Sequence, residues 1–556
     1  MSRYDHTKYR PFPPVQLKDR QWPDQVINKA PIWCSVDLRD GNQALVDPMT
    51  VEQKKRLFQL LVKIGFKQIE VGFPAASQPD FDFVRALIEE NMIPDDVTVQ
   101  VLTQAREHLI DRTIEALQGV RKAIVHVYNS TSTVQREQVF RMSREEIIEI
   151  AVSGVRMVKE RVAKHPATDW RLEYSPESFT GTELDFAVEI CDAVVKEWQP
   201  TPEKKIILNL PATVEMSTPN VFADQIEWFC RHIAQRDCIE ISLHTHNDRG
   251  CAVAAAELGI MAGADRVEGT LMGNGERTGN MDVITMAMNL YSQGVDPELY
   301  LADAQEIVEV VEACTQIPVN PRHPWVGELV YTAFSGSHQD AIKKSLSQQK
   351  PEQGWNVAYL PIDPQDLGRT YEAVIRINSQ SGKGGVAYVL EADYGLKLPR
   401  WLQVEFARVV QARTEAEARE LKRQEIWDAF DQTYLSNPML AELVSYKLER
   451  SDRDYLTAVI RQQGRSGELQ GEGKGALHAL TEALKQVLDQ EIQITEYSEH
   501  ALSTGSDAKA VTYIQLKVGE QVCCGVAISE DTVAANLNAV LAAVSPTLAT
   551  VETQAA

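Results

Sequence analysis

The chain has 556 residues, more than one hydrophobic core normally supports, so two or three domains are expected. Hydrophobic residues at 44% and charged residues at 24% give it the composition of an ordinary soluble globular protein. A net charge of −23 argues against general nucleic-acid binding and against an anionic membrane surface, so any anionic substrate must meet a locally positive site.

The eight cysteines, at 34, 191, 230, 238, 251, 314, 523 and 524, form no C-x-x-C pair and no disulfide framework, which predicts a reduced, cytoplasmic protein. Met1 to Val15 is charged and Pro-rich, unlike a secretory signal, and no run of about 18 apolar residues predicts a membrane span. Residues 1–30, with Pro11, Pro13, Pro14 and Pro23, read as an extension lying on the surface or on a partner subunit.

After the extension the pattern becomes regular. Short β-branched runs occur at Ile32 to Leu38, Gln68 to Gly72, Val97 to Leu102 and Ala123 to Tyr128, then at Arg171 to Ser175, Ile206 to Leu210, Ile239 to His244 and Arg266 to Leu271. Amphipathic segments of helical period separate them, such as Thr50 to Gly65, Phe81 to Glu90, Ser143 to Lys164 and Pro219 to Gln235. Eight strand–helix units in about 260 residues match a (β/α)8 (TIM) barrel over residues 31–300. A doubly wound open sheet is the alternative, but no G-x-G-x-x-G follows the first strand.

Residues 301–437 read as helix-rich linker subdomains, with loops at Pro318 to Pro324, Pro351 to Pro364 and Ser379 to Gly385; the last lacks the order of a P-loop and reads as a flexible connector. Residues 438–556 read as a small α+β domain with a loose internal repeat: strands near 443–450, 455–463, 491–499, 510–518 and 521–528, and helices near 474–488 and 531–544. Its glycine stretch, Gly471, Gly473 and Gly475, is expected to be a loop that opens a helix; it could offer backbone N–H groups to a ligand carboxylate or be a tight turn only.

A barrel places its chemistry at the C-terminal strand ends. Polar groups sit there on every strand: Asp37-Leu38-Arg39-Asp40 on the first, Glu70 on the second, Thr103-Gln104 on the third, and His126 and Tyr128 on the fourth. Ser175 and Glu177, Asn209 and Thr213, His244 and His246, and the Gly273 to Asn280 loop follow on the others. His244 and His246 stand two apart on a strand and so share a face, which suits a divalent cation; two satisfied polar residues at a strand end is the alternative. Strands one and seven flank strand eight, so Asp40 can join them, with Asn280 as a neutral fourth ligand. Two histidines and a carboxylate also form the non-haem iron pattern, but Mg2+, Mn2+ or Zn2+ acting as a Lewis acid is the simpler reading. Arg39, beside Asp40, could bind a carbonyl or oxyanion bidentately.

Five stretches carry a resemblance: Leu-Arg-Asp-Gly-Asn-Gln at 38–43, Tyr-Ser-Pro-Glu-Ser at 174–178, Asn-Leu-Pro-Ala-Thr-Val-Glu at 209–215, Leu-His-Thr-His-Asn-Asp at 243–248 and Gly-Asn-Gly-Glu-Arg-Thr-Gly-Asn at 273–280. With these, the chain resembles the 2-isopropylmalate synthases over nearly its whole length. Asp37-Leu38 before Arg39, Asn42 after Gly41, and Ser178 favour the long bacterial branch. The resemblance implies a Claisen condensation of acetyl-CoA with 2-oxoisovalerate and water, giving 2-isopropylmalate and CoA at the entry to leucine biosynthesis. It implies a divalent metal on Asp40, His244 and His246, Mg2+ first, with K+ as an accessory activator. Arg39 would stabilise the developing alkoxide, Thr213 would donate to the keto-acid carboxylate, and Ser175 would contact substrate. Leu102 and His126 would shape the isopropyl pocket, although plain barrel packing explains Leu102 about equally well. Glu177 would lie near the acetyl group. His338 and Tyr359, from the linker of a second subunit in a homodimer, would complete the site; the base is one of these three.

The resemblance also makes residues 438–556 a leucine-binding regulatory domain. A sister synthase using 2-oxoglutarate or pyruvate is one rival; a dicarboxylate calls for an extra basic group, for which His126 is the candidate. A lyase and a catalytically dead leucine sensor are the others; the long C-terminal domain disfavours the first, and the set Arg39, Asp40, Glu177, His244 and His246 the second.

Overall fold

A computed structural model describes residues 5–333, 335–350, 352–369, 383–417, 421–503 and 508–554. Pro351 and most of the Ser379 to Gly385 connector lie outside them. The chain divides into two compact units, Met1–Val330 with Gln365–Arg369, and Tyr331–Pro364 with Thr370–Ala556.

In the first unit, strands β1 (Ile32–Ser35), β2 (Gln68–Gly72), β3 (Thr98–Gln104), β4 (Lys122–Ser130), β5 (Asp169–Glu177), β6 (Ile206–Ala212), β7 (Ile239–Thr245) and β8 (Arg266–Gly269) pair in sequence order and close through β8 and β1. All pairs are parallel, as βαβ crossovers require, and β2, β6 and β7 are buried throughout. Seven helices form the crossovers, α1 (Val51–Ile64), α2 (Gln78–Glu89), α3 (Glu107–Ala116), α4 (Arg144–Val162), α5 (Leu184–Trp198), α6 (Pro219–His232) and α7 (Ala252–Met261), and α8 (Val283–Ser292) follows the last strand.

Local chemistry sets their ends. Thr50 with Gln53, and Ser143 with Glu146, form capping boxes that start α1 and α4, and Gly65 ends α1 at φ 113°. The N-terminal extension lies along α6: Arg20 forks onto Asp224 at 2.7 Å, and Glu227 accepts from the backbone N–H groups of Gln21 and Trp22. A further helix, α9 (Ala304–Thr315), packs on α1.

Two strands stop short of the expected end, whereas β3 to β7 each run one or two residues past it. The first strand was expected through Leu38, but β1 stops at Ser35 and the chain coils into one wide helical turn, Asp37–Gly41. The Asp37 carboxylate anchors that turn by accepting from Leu271 N at 3.0 Å. The last strand stops at Gly269 rather than Leu271.

The second unit contains α10 (Gly336–Gln348), α11 (Lys383–Tyr394), α12 (Arg400–Glu417) and α13 (Arg423–Tyr434). There follow β9 (Glu442–Arg450), β10 (Asp454–Gln462), β11 (Arg465–Gly473), α14 (Ala476–Leu488), β12 (Ile492–Ala501), β13 (Ala510–Val518), β14 (Gln521–Ser529) and α15 (Thr532–Gln554). The internal repeat is thus two βββα modules, each with an antiparallel three-stranded sheet.

The strand β11 corrects the glycine loop. Gly471 and Gly473 are strand residues paired with Leu456 and Asp454, and only Gly475, at φ 105°, belongs to the turn that starts α14. Their missing side chains serve packing: a Cβ on Gly471 would stand 2.0 Å from the Ala479 carbonyl of α14. Gly525 of β14 repeats this against α15, 2.0 Å from the Ala539 carbonyl. Both sheets and both helices share one core around Leu480, Leu484, Ile514, Leu537 and Val540. A second core joins Leu390, Phe406 and Phe430 of the linker helices to Tyr513 and Val526. Thr532–Ala549 has the length and apolarity of a membrane span, yet 56% of it is buried inside the structure, as a core helix is.

Candidate active site at the barrel mouth

The strand ends of the first unit surround a cavity of about 270 Å³. Arg39, Asp40, Leu102, His126, Ser175, Glu177, Thr213, His244 and His246 all line it, so nine of the residues expected from sequence come together. Asn280 is not among the lining residues but bonds to one of them, Asp40. His338 and Tyr359 are not among the lining residues; they belong to the second unit, where their rings stack with centroids 4.0 Å apart.

The cation-binding geometry rests on strand parity. His244 and His246 leave β7 on one face, and the wide turn after β1 swings Asp40 toward them. Its Oδ2 lies 3.7 Å from His244 Nε2 and 3.9 Å from His246 Nε2, and one ligand atom from each of the three residues falls within 4.8 Å of the others. Asn280 Nδ2 donates to Asp40 Oδ2 at 2.8 Å, while among the described residues its own buried Oδ1 has no hydrogen-bond partner, and neither has His246 Nδ1. A carboxylate, two imidazoles and an orphaned amide oxygen in a buried pocket are a donor set that fits a divalent cation.

Charge is strongly organised here. Burial works against a negative Asp40, but Arg39 and the two histidines outweigh it and hold the carboxyl well below the usual range. Burial also opposes charge on His244, yet its hydrogen bonds to Asp40 and Glu268 push its pKa up to about 9. Burial and the neighbouring His244 bring His246 down to about 4. Arg39 donates to Asp40 Oδ1 at 2.6 Å through Nη1 and to Glu70 Oε2 through Nε, so its fork is fixed by two carboxylates.

The opposite wall is tied together by hydrogen bonds. His126 Nδ1 meets Glu70 Oε1 at 2.8 Å and its Nε2 meets Ser175 Oγ at 2.7 Å, while Asn209 Nδ2 donates to that Oγ at 3.0 Å. Thr213 Oγ1 accepts from Ser178 N at 2.9 Å, which leaves its proton free for an acceptor in the cavity. Glu177 accepts from Ser130 Oγ across the paired ends of β4 and β5.

Six further residues line the cavity: Gln43, Tyr128, Asn209, Pro211, Glu276 and Arg277. Each lies within a strand-end stretch that stands out in the sequence, but their inward direction depends on loop conformation. Arg277 matters to the substrate argument, because it adds a basic side chain to the cavity besides His126. It donates to Asp248 Oδ1 at 2.6 Å and to the Thr213 carbonyl, and thus ties the loops after β6, β7 and β8 together.

Residues 30–311 match the HMGL-like family, residues 328–391 the alpha-isopropylmalate synthase post-catalytic domain-like family, and residues 420–548 the LeuA allosteric (dimerisation) domain. The chain is 56% identical over 544 residues to the 2-isopropylmalate synthase of Rhodospirillum rubrum, covering 96% of this chain and 98% of that protein. It is 55% identical over 550 residues to that of Ralstonia nicotianae, covering 98% and 95%, and 54% identical over 561 residues to that of Pseudomonas fluorescens, covering 100% of both. With these matches running from the barrel through the last domain, the chain belongs to the 2-isopropylmalate synthase family.

Proposed function

We propose that this enzyme condenses acetyl-CoA with 2-oxoisovalerate and water to give 2-isopropylmalate and CoA, the first committed step of leucine biosynthesis. The observation that carries the reading is the convergence of Asp40, His244 and His246 beside a doubly anchored Arg39, with Glu177 in the same cavity. Asp40, His244 and His246, with Asn280 Oδ1 as a further donor, would hold a divalent cation, which would supply Lewis-acid polarisation of the keto acid; Mg2+ is the first choice, with Mn2+ or Zn2+ as alternatives and K+ as an activator.

The chain's own residues do the rest. Arg39 faces the oxygen on C2 as it becomes negative and stabilises that charge with a guanidinium already fixed in place. Thr213 donates its free hydroxyl proton to the keto-acid carboxylate. Leu102, with His126 and Ser175, bounds the space for the isopropyl group. Glu177, His338 and Tyr359 share the proton transfers at the acetyl methyl and the thioester, the last two reaching in from the linker of the second subunit of a cytoplasmic homodimer.

Thiol release from acetyl-CoA, followed with a panel of keto acids and divalent metal, tests the substrate. The expected result is fastest release with 2-oxoisovalerate. Fastest release with 2-oxoglutarate would assign Arg277 and His126 to a second carboxylate and overturn the substrate, and no release with any keto acid would overturn the reaction.

Leucine binds in the last domain, near the turn that starts α14 and the strand carrying Gly471 and Gly473, and slows catalysis without competing for the barrel site. Gly475 has φ 105° and open space around its Cβ position, so alanine there brings about 1 kcal/mol or more of backbone strain and no clash. Gly475→Ala is expected to keep the leucine-free rate and to need severalfold more leucine for half-inhibition. An unchanged inhibition curve would move the leucine site elsewhere.

A further inference from the structure

Below the cavity floor, the barrel does not carry only the branched aliphatic layers usual for this fold. A buried polar assembly fills it, centred on Arg266 of β8, which has no exposed surface. Its guanidinium donates to Ser242 Oγ at 2.7 Å, Gln68 Oε1 at 2.7 Å, Gln100 Oε1 at 2.8 Å and Glu268 Oε1 at 2.9 Å.

Glu268, two residues along the same strand and therefore on the same face, divides its oxygens between two tasks. Oε1 receives Arg266 and Gln100 Nε2, the latter at 3.0 Å. Oε2 receives Asn209 Nδ2 at 3.2 Å and meets His244 Nδ1 at 2.8 Å. His246, the other imidazole, has no such partner on Nδ1.

We infer that Glu268 is a positioning residue for the divalent-cation site: its carboxylate holds the His244 ring through Nδ1 so that Nε2 faces Asp40, and Arg266 holds Glu268 in place. The inference rests on the metal-site reading given above. An ionised carboxylate behind a ligating imidazole fixes its tautomer and ring orientation and raises its basicity. The two histidines are thereby unequal: Glu268 orients the His244 ring, whereas among the described residues nothing holds His246 through Nδ1. Arg266 acts on the cation site through Glu268, without touching the cation ligands.

The same residues exclude a second cation. His126, Glu173 and Glu268 offer ligand atoms within 4.8 Å of one another, but Arg266 Nη1 stands 3.3 Å from Glu173 Oε2 and 2.9 Å from Glu268 Oε1. The guanidinium already supplies the positive charge that this group calls for.

Calorimetric titration of the chelator-stripped full-length protein with Mn2+ tests the inference. Glu268→Gln keeps the shape and removes the charge, and it is expected to bind Mn2+ about 10–100-fold more weakly, with turnover restored at saturating Mn2+. Glu173→Gln, which alters a residue beside the same arginine but not bonded to His244, is expected to keep the parent affinity. Should Glu268→Gln not fold, Glu268→Asp keeps a charge for Arg266 but falls one methylene short of His244, and the same weakening is expected. Parent-like affinity in the Glu268 variant, or an equal loss in Glu173→Gln, would overturn the inference. An unmutated chain that binds no Mn2+ would overturn the metal site, and this inference with it.

Discussion

Replacing His244 with alanine is expected to leave a protein that loses its divalent cation on dialysis and releases no CoA from acetyl-CoA. The imidazole is one of three side chains whose ligand atoms lie within 4.8 Å of one another, and it alone of the two histidines is held from behind by a buried carboxylate. Removing a ligand outright should cost more than the about 10–100-fold that loss of an outer partner costs in metal affinity. Asp40→Ala should fail in the same way and for one more reason, because it also takes from Arg39 one of the two carboxylates that fix its fork. Metal analysis after dialysis, run beside the thiol assay, decides the matter. Normal metal occupancy with no turnover would mean that the ligands are misassigned.

Arg39→Lys is expected to keep the metal and lose about 10²–10³ in kcat, the cost of removing one preorganised oxyanion donor. Arg39 uses Nε for Glu70 and Nη1 for Asp40, and its planar group remains rigid while doing so. A lysine ammonium is a single point of charge on a flexible stem and cannot serve both carboxylates and the substrate oxygen from one fixed plane. The measurement is kcat alongside metal content. Retention of kcat within about tenfold of the parent would remove Arg39 from the oxyanion role. Loss of metal together with kcat would instead make it a support for Asp40.

These two outcomes separate holding the cation from stabilising charge on the substrate. They also bear on how much of the site was legible before folding. His244 and His246 declare themselves locally, since their two-residue spacing on an apolar strand puts them on one face whatever surrounds them. Asp40 was legible only through the barrel hypothesis, because its approach depends on β1 and β7 both neighbouring β8. The turn that aims it was not legible. Val36-Asp37-Leu38 continues the strand pattern, and it coils because the buried Asp37 carboxylate accepts from Leu271 N, a partner 234 residues away.

The last domain gives the opposite lesson. Its repeat could be seen, but one of its six strands could not. Arg465 to Gly473 holds three glycines and a single buried large apolar residue, Leu469, so it carries almost no strand signal of its own. It is a strand because β10 pairs with it along its whole length and because the bare backbone at Gly471 and Gly473 lets α14 pack at close range.

What the sequence determined by itself was the alternation of periods 2 and 3.6 that makes eight strand–helix units, together with the parity of the polar residues at the strand ends. Both are set by neighbours within a few positions, and local sterics decide them. Tertiary structure alone decided which polar groups pair. Gln68, Gln100, Ser242, Arg266 and Glu268 share a parity with their strands' functional residues, yet nothing local says that one guanidinium will gather four of them or that Glu268 will lie behind His244. A buried charge is tolerable only beside its partner, and barrel closure brings those partners from four different strands into contact.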